Sequence, residues 1–179
     1  MNLSQGFQVF SGLDYRFINN YNFYLNNRAT GPVPAVNQTF YTIQNGDASI
    51  FKLYGGIIQE FKPRVFWMSV EGYARSPKLS AGGDIPFEER LGLSGRLSYR
   101  PIPTVLLESW VDYIGEREDP LSQNDLSGFL LVNLRAEAQI VENFGAYIKS
   151  LNLTNSDYQL WQGYTERPFQ FFVGLTYRF

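Results

Sequence analysis

Apolar and polar residues alternate with period two along most of the chain. From Glu89 to Arg100, Leu91, Leu93, Gly95, Leu97 and Tyr99 fall on one face. Arg90, Gly92, Ser94, Arg96, Ser98 and Arg100 fall on the other. Leu130 to Ile140 and Phe169 to Phe179 repeat the pattern. Helical periodicity is nearly absent, so the alternation predicts strands. Eight are expected, over 5–17, 41–60, 64–76, 88–100, 104–116, 127–141, 144–154 and 168–179. Many exceed the ~5–6 residues of soluble strands and match the ~9–11 that a tilted strand needs to cross a bilayer.

The connections alternate too. Short turns are expected at Phe61–Arg64, Pro101–Thr104 and Val141–Asn143, and longer loops at 18–40, 77–87, 117–126 and 155–167. Short turns at one end and long loops at the other form the pattern of an outer-membrane β-barrel. An even strand count puts both termini at the short-turn end. The fold class expected is therefore all-β: an antiparallel transmembrane barrel of about eight strands, in one domain over 1–179.

Alternation alone does not say which face meets lipid, because a soluble barrel turns its apolar face inward. Two features favour the membrane. First, rings bracket an aliphatic middle. Phe7, Tyr15 and Phe17 flank Val9 and Leu13, while Phe169, Phe171, Tyr177 and Phe179 flank Val173 and Leu175. Aromatic side chains suit the headgroup level at both rims. Second, the polar face carries mid-strand charges, among them Asp14, Arg16, Lys52, Glu71, Arg75 and Lys149, while the apolar face carries almost none. A central Arg or Lys facing lipid costs about 2–4 kcal/mol.

Composition narrows the chemistry. The chain has 179 residues, neither Cys nor His, and a net charge of −2. This removes disulfides, thiolate nucleophiles, His-based triads and His- or Cys-ligated zinc. The charge balance argues against nucleic-acid binding. No dinucleotide, P-loop or EF-hand motif is present, so no cofactor or metal is expected. Aromatic residues make up 17% and apolar residues 44%, yet mean hydropathy is only −0.22, which fits interleaved faces. No run approaches the ~20 apolar residues of a membrane helix. MNLSQGFQVF lacks the form of a secretory leader, which suggests a mature or partial chain.

Three groups are candidate functional residues. Tyr21, Phe23 and Tyr24 in the first long loop, and Tyr158, Trp161 and Tyr164 in the last, are candidate loop contacts. If the sheet's ends meet, these loops lie side by side. Packing on one another or anchoring at the outer headgroups is the plainer role. Arg90, Arg96, Glu108, Asp112, Arg135 and Glu137 are expected to form a charge network in the lumen. Glu108 and Asp112 stand roughly 13 Å apart on one strand face, too far for joint acid–base chemistry. Pairing with Arg96 or Arg135 is expected instead, and no enzyme activity. Gly174, Tyr177 and Phe179 are candidate assembly-signal positions.

Two stretches resemble the end of TonB-dependent outer-membrane receptors, with a flavour of those of the Bacteroidota: 99–119 and 143–179. They hold Tyr113-Ile114-Gly115-Glu116-Arg117, like the family's element closing a late strand. They also hold Asn152-Leu153-Thr154-Asn155-Ser156-Asp157-Tyr158, like its entry to the final extracellular loop. The stretch 124–140 shares that character, and 40–61 is similar more weakly. The last strand resembles the signal read by the barrel assembly machinery, although Phe172 stands where a polar residue is usual. The resemblance implies an outer-membrane location in a Gram-negative bacterium and uptake of a small ligand. It implies partners in outer-membrane lipids, the assembly machinery, and a plug domain or other barrel segment. Family members carry an N-terminal plug and a larger barrel, and nothing in this sequence matches the plug. A small autonomous barrel with a structural, adhesive or subunit role is the second expectation. A soluble ligand-binding barrel is the third.

Overall fold

The computed structural model describes residues 6–28, 39–118 and 125–177. Ten strands are present: β1 (Phe7–Arg28), β2 (Thr39–Lys62), β3 (Phe66–Leu79), β4 (Leu91–Ile102), β5 (Val105–Ile114), β6 (Phe129–Val141), β7 (Phe144–Leu151), β8 (Gln159–Trp161), β9 (Tyr164–Thr165) and β10 (Gln170–Tyr177). Eight form one antiparallel sheet in the linear order β1-β2-β3-β4-β5-β6-β7-β10. Each strand pairs with its chain neighbour, as short turns dictate. The two remaining strands form a small hairpin inside the last long loop, which periodicity did not predict because its strands are only three and two residues long.

The first long loop needs correction. It was expected over 18–40, but β1 runs on to Arg28 and β2 begins at Thr39. At 22 and 24 residues these strands are about twice the length of a tilted crossing. The hairpin therefore stands well beyond the rest of the sheet. Asparagine-rich sequence reads as loop, yet Tyr, Phe and Leu among the asparagines keep strand propensity.

A bulge divides the two parts of β1. Between the pairs Ile18↔Ala48 and Tyr21↔Gly46, two residues on β1 face one on β2. Asn20 takes the left-handed conformation there at φ 56°, which Asn tolerates. Its N–H donates to Asp47 Oδ1 at 3.1 Å, and its carbonyl accepts from Asn45 Nδ2 at 3.1 Å. The extra residue swaps the faces of everything beyond it. Odd-numbered residues point outward before the bulge, and Tyr21 points inward after it.

The two faces are chemically opposite. Outward, Val9 is 66%, Leu13 69%, Val173 68% and Leu175 68% exposed, with Tyr15, Phe17, Phe171 and Tyr177 at the rims. The inner face carries the charges. Among the described residues the buried apolar side chains are Ala48, Ile85, Phe87, Leu126 and Phe129, all at the long-loop end. Between the strands there is no filled core; apolar surface faces away from the lumen, as in a membrane wall.

Glycines on the inner face make room for tyrosines of neighbouring strands. Gly12 pairs with Tyr54, Tyr54 with Tyr73, and Tyr73 with Gly92, making one row across β1 to β4. A Cβ at Gly12 would overlap the Tyr54 ring, and one at Gly92 the Tyr73 ring. Lys52 Nζ sits 4.3 Å from the Tyr73 ring centre and 5.6 Å from that of Tyr54. Gly174 and Tyr147 repeat the arrangement between β10 and β7.

Three substitutions test this wall. Val173→Arg should cost about 2–4 kcal/mol in denaturant unfolding from lipid vesicles, while Phe172→Gln on the opposite face costs under about 1 kcal/mol. Equal costs would mean the faces are misassigned. Gly92→Ala should destabilise by about 1–3 kcal/mol in the same assay, because the Tyr73 ring must leave its place.

Candidate functional site

Three connections, 80–90, 115–128 and 152–169, interlock at the long-loop end. The first turns on Gly82 and Gly83, both at positive φ. Gly82 N–H donates to the Leu79 carbonyl and Leu79 N–H to that of Gly83, each at 3.0 Å. Asp84 then meets Lys78 and Arg90, and Arg90 also reaches Glu118 at 3.2 Å. Beyond it, Arg75 of β3 pairs with both Glu88 and Glu89, the latter at 2.7 Å. Tyr21 Oη donates to Glu88 at 3.0 Å and Tyr73 Oη to Glu89 at 2.5 Å. The bulge in β1 is what aims Tyr21 at this group.

Phe87 is left-handed at φ 61° and buried. That conformation costs a bulky residue about 1–2 kcal/mol. Contacts from two other connections help to hold it. Its N–H donates to the Glu118 carbonyl at 3.0 Å, and its ring lies 5.2 Å from that of Trp161.

Arg117 anchors the second connection. Its backbone pairs in both directions with Leu126, at 3.0 and 2.9 Å. The residue is only 3% exposed. Its guanidinium donates to the carbonyls of Leu160 at 3.1 Å and Gln159 at 2.5 Å, and lies 5.1 Å from the Phe129 ring centre. Burial pushes its pKa down, opposed by the field of Glu89. Phe129 in turn lies 4.4 Å from the Tyr158 ring. Burial first, then Glu166, raises the Tyr158 pKa.

Asn152 organises the third connection. It is left-handed at φ 51° and 3% exposed. Its N–H donates to Asn133 Oδ1 at 3.1 Å and its Nδ2 to the Ser156 carbonyl at 2.9 Å. Its Oδ1 accepts from Ser156 N–H at 3.0 Å. Asn155, at φ 49°, accepts the Phe169 N–H on Oδ1 at 3.0 Å, closing the loop onto β10. Both are the side chains that best tolerate this conformation.

The candidate residues are placed as follows. Tyr158 and Trp161 are half-buried against Phe129 and Phe87, while Tyr164 is exposed on β9. Tyr21 and Phe23 face inward; the Tyr24 side chain lies outside the described residues. The two groups were expected to lie side by side if the sheet's ends meet; in the structure Tyr21 and Trp161 both reach the connection 80–90, at Glu88 and Phe87. In the lumen, Arg135 joins Glu137 at 2.6 Å and Glu108 at 3.7 Å. Arg90 does not belong to this group: it lies at the loop end, since it precedes β4. Among the described residues Arg96 and Asp112 form no ion pair, because Arg96 stands opposite Trp110 and Asp112 opposite Ser94. Gly174 and Tyr177 lie on β10; Phe179 is outside the described residues. Sequence reasoning missed Phe87 and the junction of Arg75, Glu88 and Glu89. Adjacent Glu88-Glu89-Arg90 was a signal for the junction, whereas nothing local marks Phe87 as left-handed. Among the described residues no group of three His, Cys, Asp or Glu is placed to hold a metal.

No protein-family model and no curated protein matches the sequence. Solved structures do match the fold. The copper transporter OprC superposes with a TM-score of 0.73 at 13% identity, over 98% of this chain and 29% of its own. The ferric-catecholate import receptor Fiu of E. coli K12 gives 0.67 at 14% identity, over 99% of this chain and 26% of its own. The ferripyoverdine receptor of the outer membrane of Pseudomonas aeruginosa gives 0.65 at 15%, over 98% of this chain and 25% of its own. These are TonB-dependent receptors. The fold of this chain is that of an outer-membrane barrel wall. The chain spans between a quarter and a third of each of these three proteins.

The Arg117 anchor gives a direct test. Arg117→Ala frees two carbonyls and a ring, so cleavage of 152–169 by added protease should speed up roughly tenfold or more. An unchanged rate would show that the loop is held by other contacts.

Proposed function

We propose that the chain is part of the barrel wall of a TonB-dependent uptake receptor in the outer membrane of a Gram-negative bacterium. One observation carries this reading: a linear eight-stranded antiparallel sheet, charged inside and apolar outside, that overlays a quarter to a third of such receptors. The outer face contacts lipid. The inner face, with Arg135, Glu108 and Glu137, contacts a plug domain or a further barrel segment. The connections 80–90, 115–128 and 152–169 form part of an extracellular entrance, with Tyr164 exposed toward an incoming ligand. Gly174, Tyr177 and Phe179 serve assembly through the last strand.

The cargoes named for the similar receptors are copper, a ferric catecholate and ferripyoverdine. They differ in chemistry, so the shared wall sets none of them here. The overlay on a quarter to a third of three such receptors supports this reading over a small autonomous barrel.

Refolding the chain into detergent micelles and comparing boiled with unboiled gel mobility tests the choice. A wall segment should show no heat-dependent shift and should associate through its edge strands, β1 and β10. A heat-dependent shift at monomer size would sink the wall reading and favour the autonomous barrel.

A further inference from the structure

We propose that the outward face of β4 to β7 and β10 carries a groove for one acyl chain of a phosphorylated lipid of the outer leaflet. The groove follows from register. Leu97, Ser109, Leu134, Ser150 and Phe171 are successive cross-strand partners, so large and small side chains alternate in one row. In the adjacent row the small residue is Ala136, between Leu107 and Ile148. Ser109, Ala136 and Ser150 are half-buried and form a floor, and the exposed Leu and Phe side chains beside them form the walls. The depression has a volume of about 490 Å³ and is lined almost wholly by apolar surface. On β1 and β2 of the same face, bulky residues face one another across the strands, as Val9 does Ile57 and Leu13 does Leu53.

Its direction selects the occupant. The groove runs from the middle of β4 and β5 toward Leu153 and Phe169 at the long-loop end. It therefore opens at the extracellular headgroup level, where the lipid is lipid A rather than a phospholipid of the inner leaflet. Arg167 lies two residues before Phe169, is exposed, and makes no ion pair with another described residue. An exposed cation at that end complements a lipid phosphate. The chain fills the floor left by the small residues, each buried methylene adding to retention. This inference rests on the outer-membrane placement proposed above and not on uptake.

The test is native mass spectrometry of the protein taken from membranes in mild detergent, stripped of lipid, then titrated with lipid A. The protein should retain one lipid A per chain. Ala136→Phe fills the groove and should lower retention roughly tenfold, the equivalent of about two buried methylenes. Val9→Phe, on the same apolar face but far from the groove, should leave retention unchanged and controls for folding. Arg167→Gln should weaken lipid A binding without weakening that of an uncharged diacylglycerol. Equal retention by the protein and its Ala136→Phe variant would overturn the groove. Equal retention of phosphatidylethanolamine would overturn the outer-leaflet assignment. A second copy of the chain, lost on Ala136→Phe, would mean that the groove is a protein interface and overturn the lipid. Absence of the protein from membrane fractions would instead defeat the placement itself.

Discussion

Everything in this sheet depends on lateral hydrogen bonding. Inside hydrocarbon no water is available, so each backbone N–H and C=O must find its partner on a neighbouring strand. Pairing register then decides the chemistry of both faces, because a slip of one residue exchanges them. The inner glycines show how the register is held. Gly12 stands opposite Tyr54, Gly92 opposite Tyr73 and Gly174 opposite Tyr147. In each pair the ring occupies the space a Cβ would take. A slipped strand would put a side chain under that ring. Packing on the lumen side thus locks a register that lipid contact alone, indifferent among Leu, Val and Phe, would hold loosely.

The long-loop end solves a different problem. Its backbone is irregular, so carbonyls there need partners that no ladder supplies. The hairpin of β8 and β9 is too short to persist alone. Arg117 satisfies two of its carbonyls from below, and Phe87 covers Trp161 from the side. A buried guanidinium without a carboxylate is costly, but its planar fork suits carbonyl acceptors and its flat face suits the Phe129 ring. Asn152 and Asn155 then set the loop's course with side-chain bonds in place of a ladder.

The strands were legible because one period dominates. Leu91 to Tyr99 and Phe169 to Tyr177 place their apolar residues on one face without a break, and the structure turns those faces outward. Legibility stopped where the period was broken or non-local contacts decided. The bulge at Asn19 and Asn20 looks like a loop, so the inward turn of Tyr21 was hidden. Glu108 and Arg135 could be paired from neighbouring strands, but Arg96 could not be denied a partner without knowing that it faces Trp110. The residues quoted for family resemblance, Arg117 and Asn152, prove to be structural: they hold the last loop. Phe87 was invisible because its left-handed backbone is supported by Glu118 and Trp161, which lie in other connections.

The connection 80–90 joins what chain order keeps apart. Glu88 binds Tyr21 from the projecting hairpin, and the next residue back, Phe87, holds Trp161 from the last loop. The strain at Phe87 is borne by contacts from outside its own connection. The ring against Trp161 and the N–H bonded to Glu118 help to hold the left-handed backbone. The two contacts come from different connections, Trp161 from 152–169 and Glu118 from 115–128. Two adjacent residues thus tie the projecting hairpin and the last loop to one connection. Where the ladders end, the backbone leaves its preferred conformation, and side chains from other connections hold it there.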